Sequence, residues 1–326
     1  MLRWLLRRLM WAAVTLLGIT FVTFCVLDLA PADRASLELA RRSEEPGAPD
    51  LSLVSRDVAL AKLRIRHGLV DEKTLQPLPV HERYAKWLAA AATFRLCGPG
   101  DDPAEFRARL GRAVPVSLLL GVLSLFFALA VGIPLGARLG MRVGSREDRV
   151  LGGAMLALAA APDALVATLA LLLFCGPVFD WLPTGGLESA AHFVLPVCVM
   201  AIGPAILVAR FLRESVARTA MSPFADNLIA WGFTPQERER RIVRVALAPL
   251  ATLAGSLLPM LVAGSVVVET VFSIDGMGRL AFEAVRSNDH AMVMATTMLT
   301  ATVTLLGFVA SDVLHRAFDP RVRLDA

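Results

Sequence analysis

Four cysteines in 326 residues (Cys25, Cys97, Cys175 and Cys198) share no spacing, and three of them lie in or beside apolar runs. A disulfide framework or a cysteine metal site is therefore not expected, and the thiols read as small apolar fillers. The five histidines (His67, His81, His192, His290 and His315) are scattered. There is no glycine-rich phosphate loop, no G-x-S-x-G and no H-E-x-x-H. The chain thus lacks the signatures of an ATPase, a serine hydrolase and a zinc protease, and no catalytic residue, metal site or bound cofactor is expected of it. Charge is sparse as well, at 19% of residues, and it gathers between long uncharged runs. What the chain has instead is apolar bulk. At 56% hydrophobic and a mean hydropathy of +0.61, it is too apolar for an ordinary soluble domain. The net charge of +4 would suit nucleic acid, but the arginines flank apolar runs, where positive charge orients membrane helices. The expected partner is lipid, not nucleic acid.

About 20 apolar residues, rising about 1.5 Å each, cross a hydrocarbon layer of about 30 Å as a helix. Six stretches qualify: 9–29, 113–137, 150–175, 193–212, 249–271 and 291–315. The first follows Arg3, Arg7 and Arg8 as a signal peptide would, but its apolar run is too long and Leu29-Ala30-Pro31-Ala32 is a weak cleavage site, so it reads as a retained helix. Arginines also follow the second stretch (Arg138, Arg142, Arg146, Arg149), fill residues 213–248, and end the chain (Arg316, Arg321, Arg323), whereas 176–192 holds no Lys or Arg. Six spans place all these arginine-rich segments on one side, so both termini are expected in the cytoplasm of a multi-pass membrane protein. The expected division is a tail and first span at 1–29, an extracytoplasmic loop at 30–112, five spans at 113–315 and a cytoplasmic tail at 316–326. Within the external loop, Arg41–Asp50 reads as a flexible insertion, and helices are predicted at Ser55–His67 and His81–Thr93 on either side of Pro77-Leu78-Pro79-Val80, forming a small cap.

The cytoplasmic loop 213–248 is the most distinctive segment. Gly232 separates a short helix (222–231) from a second one (235–247) that begins at Pro235, a residue suited to a helix's first turn. Such a break calls for φ > 0, which glycine adopts without strain. Phe224, Leu228 and Trp231 form an apolar stripe with nothing in the loop itself to cover it, suited to docking in a partner's groove. The alternative is that the stripe packs on the arginine-rich helix that follows, or lies on the membrane.

Inside the spans, Asp163 follows Pro162 in mid-membrane. A charge there faces an interior path, or else it caps a helix that restarts after the proline. Gly203-Pro204 and Pro259 are candidate kinks, and Gly255, Ser256, Ala263, Gly264 and Ser265 offer a small-residue face for a neighbouring helix. Glu269 reads as an interfacial cap at the outer end of its span. Asp275-Gly276-Met277-Gly278 reads as a turn into a short helix at Arg279–Arg286, and Asp312 as the ion-pair partner of Arg316.

From about residue 77 onward the sequence resembles the inner-membrane permease subunits of ABC importers for dipeptides, oligopeptides and nickel. The pieces that carry the resemblance are Pro77-Leu78-Pro79-Val80 with Trp87, Leu182-Pro183-Thr184-Gly185-Gly186, His192 to Pro196, Val268-Glu269-Thr270-Val271-Phe272, Gly276-Met277-Gly278-Arg279-Leu280 and Phe318-Asp319-Pro320-Arg321-Val322-Arg323. The resemblance implies an all-α, six-span type I importer fold and alternating access. It implies a second permease subunit, identical or paralogous, two ATP-binding subunits that use the ATP, and an extracytoplasmic substrate-binding protein. It makes Phe224, Leu228, Ala230, Trp231, Gly232, Arg240 and Arg244 candidates for coupling to the ATPase, Asp163 a candidate for the path, and Glu269, Gly276 and Gly278 candidates for an outer turn or gate. The coupling loop departs from the family pattern, since Asp226-Asn227-Leu228-Ile229 and Trp231 replace the usual charges, while Arg240 to Pro249 matches. The competing class is a secondary transporter or channel, which predicts inverted repeats or intramembrane charge pairs that the sequence does not show. A membrane hydrolase would need a nucleophile and base that are missing.

Overall fold

The computed structural model describes residues 2–29, 53–66, 69–71, 76–93, 95–98, 102–176, 189–250 and 266–318, with 35, 36, 39, 179, 181–186, 253, 256 and 257 between them. In chain order the described helices are α1 (Leu2–Asp28), α2 (Leu53–Arg66), α3 (Val80–Ala92), α4 (Pro103–Met141), α5 (Arg146–Ala160), α6 (Asp163–Phe174), α7 (Ala191–Ala220), α8 (Pro223–Ala230), α9 (Pro235–Ala246), α10 (Val266–Val271), α11 (Met277–Arg286) and α12 (His290–Phe318). By length and composition α1, α4, α7 and α12 can each cross a membrane, and α5 with α6 forms a bent fifth candidate. Most of the expected span at 249–271, with Gly255, Pro259, Ala263, Gly264 and Ser265, lies outside the described residues, as do Arg41–Asp50 and the tail from Asp319.

The stretch expected as one span at 150–175 is two helices, bent by 104° at Ala161 and Pro162. Proline supplies no N–H and its ring pushes the preceding residue out of the α region. Ala161 accordingly sits at φ −74°, ψ 135°. Pro196 and Pro204 act otherwise, for α7 runs through both without ending. The kink expected at Gly203-Pro204 does not divide the helix.

By internal contacts the chain forms two compact units, one of Met1–Leu9, Val114–Arg279 and Val303–Ala326, the other of Met10–Ala113 and Leu280–Thr302. In the first, α4 lies against α7 along a glycine ladder. A Cβ on Gly132, Gly136 or Gly140 would meet the carbonyl oxygens of Ala205, Ala209 and Arg213 at 2.7, 2.5 and 2.7 Å, so only hydrogen fits there. Small residues of this kind let membrane helices approach backbone to backbone. Val208, Leu250 and Leu257 bury a further patch that Leu125, Leu129, Ile133 and Leu253 help to cover. Asp312 pairs with Arg8 at 3.1 Å, because the ends of α1 and α12 are brought together in space; the side chain of Arg316, the partner expected from sequence, lies outside what the structure describes.

In the second unit, α3 packs on α1 through Tyr84. Its hydroxyl donates to the Leu17 carbonyl at 3.1 Å and shares a hydrogen bond with Thr20 at 2.9 Å, while its ring meets Phe21, Phe24 and Trp87. Arg83 pairs with Asp28. Leu17 lies 11 residues before the end of α1, about 16 Å at 1.5 Å per residue. Helix α3 therefore lies alongside α1 and does not simply sit beyond its end.

Candidate functional site

Two clusters in the first unit hold most of the residues singled out above. One is the α8–α9 pair. Ser222 precedes Pro223, and Thr234 precedes Pro235, so both helices begin on a proline whose missing N–H costs nothing at a first turn. At α9, Thr234 and Glu237 exchange hydrogen bonds as a capping box. These bonds, from the Thr234 backbone first, hold the Glu237 carboxyl below its usual range. Between the helices Gly232 adopts φ +75° with nothing within 4 Å of where a Cβ would stand. The glycine is demanded there by the backbone angle and not by crowding.

The stripe expected to be uncovered is divided. Leu228 is 1% exposed, packed with Leu212, Val216, Ala225, Ile242 and Ala246, and Phe224 and Phe233 flank the same cluster. Burial of Leu228 follows from α8 folding back onto α7 and α9, so the covering of this residue comes from its own chain. Trp231 remains 70% exposed, with Met221 and Ile229 also exposed. Ala230 lies beside them on the surface, and Arg241 stacks its guanidinium 4.0 Å from the Phe233 ring centre. Arg240 and Arg244, one turn apart on α9, are exposed and border a groove with Ala137, Gln236, Glu239, Val243 and Leu247. The face available to another molecule is thus an apolar edge of Met221, Ile229 and Trp231 next to a cationic one. Ser215 ties the pair to α7 by donating to the Ala246 carbonyl at 2.9 Å.

The other cluster surrounds Glu269. This carboxylate is fully buried, not the interfacial cap expected of it. Oε1 accepts from the Ser117 hydroxyl at 2.6 Å, and Oε2 accepts from the Arg279 amide at 2.9 Å; the Ser117 oxygen in turn accepts from the Met277 amide at 2.8 Å. Neutral donors therefore satisfy it, which a buried carboxylate requires. The turn must come very near to make these bonds. A Cβ on Gly276 would stand 2.5 Å from the Glu269 oxygens, and one on Gly278 would stand 2.6 Å from the Val266 Cα. Gly185 abuts the Phe272 carbonyl in the same way at 3.0 Å, and Leu182 packs on the cluster of Val268, Phe272 and Ile274. Segments far apart in sequence, at 117, 182–185 and 266–279, thus form one closely packed turn. Ser117 was missed because nothing in its local sequence marks it, and its partner lies 152 residues away.

Asp163 belongs to neither cluster. It is the first residue of α6, exposed, in the first turn of a helix whose cap position, Pro162, makes no side-chain hydrogen bond. The glycine ladder of α4 and the Asp148–Arg213 pair also escaped the sequence reading. The ladder could have been found from its spacing of four in an apolar run, the pair could not.

Residues 132–324 match the family described as binding-protein-dependent transport system inner membrane component. The chain is 27% identical over 99% of its length to the oligopeptide transport system permease protein AppB of Bacillus subtilis, 99% of which is covered. It is 26% identical to the dipeptide transport system permease protein DppB of the same organism, with 99% of each chain covered. The oligopeptide transport system permease protein OppB of Mycobacterium tuberculosis is 29% identical, again over 99% of this chain and all of that one. Among solved structures, the inward-facing MetNI methionine ABC transporter aligns with a TM-score of 0.54 at 20% identity, covering 67% of this chain and 99% of that one. The fold is that of a type I importer permease.

Proposed function

The chain belongs to the family of binding-protein-dependent transport system inner membrane components, and on that premise we propose that it forms half the wall of an ATP-driven import path for peptides. The relatives named for oligopeptide and dipeptide transport support the substrate class. A second permease, identical or paralogous, supplies the other half of the wall, two ATP-binding subunits hydrolyse the ATP, and an extracytoplasmic binding protein delivers the peptide. Both termini and the α8–α9 pair lie in the cytoplasm, in keeping with the arginines on these segments.

The observation that carries the coupling role is the α8–α9 pair. It is seated on α7 through Leu228 and Ser215, yet it leaves Trp231, Ile229, Met221, Arg240 and Arg244 facing outward. An apolar anchor beside fixed cations suits a groove with acidic walls on a soluble subunit. Movement of that subunit on ATP binding displaces α8–α9, and α7 carries the displacement into the membrane. At the other end of the path, the Glu269 turn acts as a preset element of the outer gate, and Asp163, at the start of a broken helix, lines the path.

The test is reconstitution of the purified complex in proteoliposomes with labelled di- and oligopeptides. ATP-dependent uptake that needs the binding protein and is lost in Trp231→Glu, with membrane insertion intact, is the expected result. Uptake without any ATP-hydrolysing subunit would replace this reading with a secondary transporter.

A further inference from the structure

The strongest unassigned feature is an ion pair where α5 meets α7, its carboxylate buried and its guanidinium partly exposed. Asp148, in the first turn of α5, is 5% exposed. Its Oδ1 accepts from Arg213 Nε at 2.5 Å and its Oδ2 from Arg213 Nη2 at 2.6 Å, a bidentate fork. Oδ2 also accepts the Gly144 amide at 2.9 Å, and Gly144 can present that amide because it sits at φ +80° in the turn after α4. The Asp148 amide is in turn capped by Ser145 at 3.1 Å. One carboxylate therefore joins the α4–α5 turn, the start of α5 and the cytoplasmic stretch of α7.

Its position along α7 matters. Gly140, the last rung of the glycine ladder, abuts the Arg213 carbonyl, and Ser215, two residues on, is bonded to α9. Load from α8–α9 thus enters α7 within one turn of the place where Asp148 grips it. Desolvation of the carboxylate offsets part of the attraction and water screens the partly exposed guanidinium, so the pair contributes little net stability. Its distinctive property is a fixed geometry, since a planar fork on a buried carboxylate resists both sliding and rotation.

We propose that Asp148 is a positioning residue, a pin that makes the α4–α5 hairpin move with α7 when α8–α9 is displaced, so that motion from the ATPase reaches the spans. This rests on the coupling role assigned to α8–α9 above.

The experiment measures peptide taken up per ATP hydrolysed by the complete complex in proteoliposomes. Asp148→Asn keeps the size of the side chain but offers only one acceptor to the fork. Expected is a fall of about tenfold in uptake per ATP, within the usual range of coupling energies. ATPase association and hydrolysis should stay within about twofold, with partial recovery of the ratio in Asp148→Glu. An unchanged ratio overturns the pin, whether uptake is normal or uptake and hydrolysis fall together, as they would if the pair served folding alone. If Asp148→Asn fails to assemble, Arg213→Lys, which keeps the charge but loses the fork, is read the same way and a normal ratio again overturns the pin. Absence of ATP-driven uptake by the wild-type complex would instead remove the coupling role itself, which separates the two failures.

Discussion

The Gly232 break and the Gly276 turn are both glycines in a turn just ahead of a short helix, yet they are opposites in space. Gly276 is pressed against a buried carboxylate that three segments of the chain enclose, and both oxygens of that carboxylate have partners within the chain. Gly232 stands in open space, and the residue before it, Trp231, is left uncovered. A closed turn sets geometry for its own fold, and an open one keeps surface for another molecule. The same contrast recurs within three residues of α8, where Leu228 is core and Trp231 is not.

The largest effect that bears on this contrast should come from Gly276→Val. Its side chain must displace the Glu269 carboxylate, an overpacking cost of about 3 kcal/mol or more, and thermal unfolding of the detergent-solubilised chain should show it. A Val variant as stable as wild type would mean that the turn is not closed. Next comes Leu228→Ala, expected to cost about 2–4 kcal/mol because α7 and α9 hold the cavity open; Trp231→Ala should change stability by less than about 0.5 kcal/mol while lowering retention of the ATP-binding subunit in pull-downs. Equal stability losses at the two sites would erase the distinction between core and surface.

Smaller again is Gly232→Ala, about 1–2 kcal/mol from the left-handed backbone alone, with no contact to relieve. Its signature is a stability loss that does not grow when the substituted side chain is enlarged, read from the same melts. The smallest effect concerns the cap of α9. Glu237 has its folded pKa lowered by Thr234, so its contribution is present above the unfolded pKa and fades as pH falls through the folded one. Amide exchange at the start of α9 should therefore speed up relative to the rest of α9 on acidification into the carboxylate range; Thr234→Ala should reduce the difference and Glu237→Gln should abolish it.

Helix positions were legible wherever local chemistry sets them. Pro223, Pro235 and the Thr234 to Glu237 capping box announce α8 and α9 to within a residue or two, and α2, α3 and α11 follow from apolar spacing and the proline or glycine turns beside them. The left-handed angle at Gly232 was legible for the same reason. Residue environments were less so. Glu269 read as an interfacial group because its donors, the Ser117 hydroxyl (itself held by the Met277 amide) and the Arg279 amide, come from other helices and turns. Asp312 found Arg8, more than 300 residues earlier in the chain.

The amino-acid sequence by itself therefore determined an all-helical membrane chain, the ends of its short helices and the place of its left-handed break, because hydropathy, proline, capping and φ preference act over one or two turns. Only the tertiary structure decided which charges are buried and which aromatic side chain stays uncovered. It bent one apolar run by 104° at Pro162, closed the Gly276 turn over Glu269 and brought Asp148 to Arg213. Those outcomes depend on which helices meet, and a residue's burial belongs to the pair of surfaces in contact and not to the residue alone.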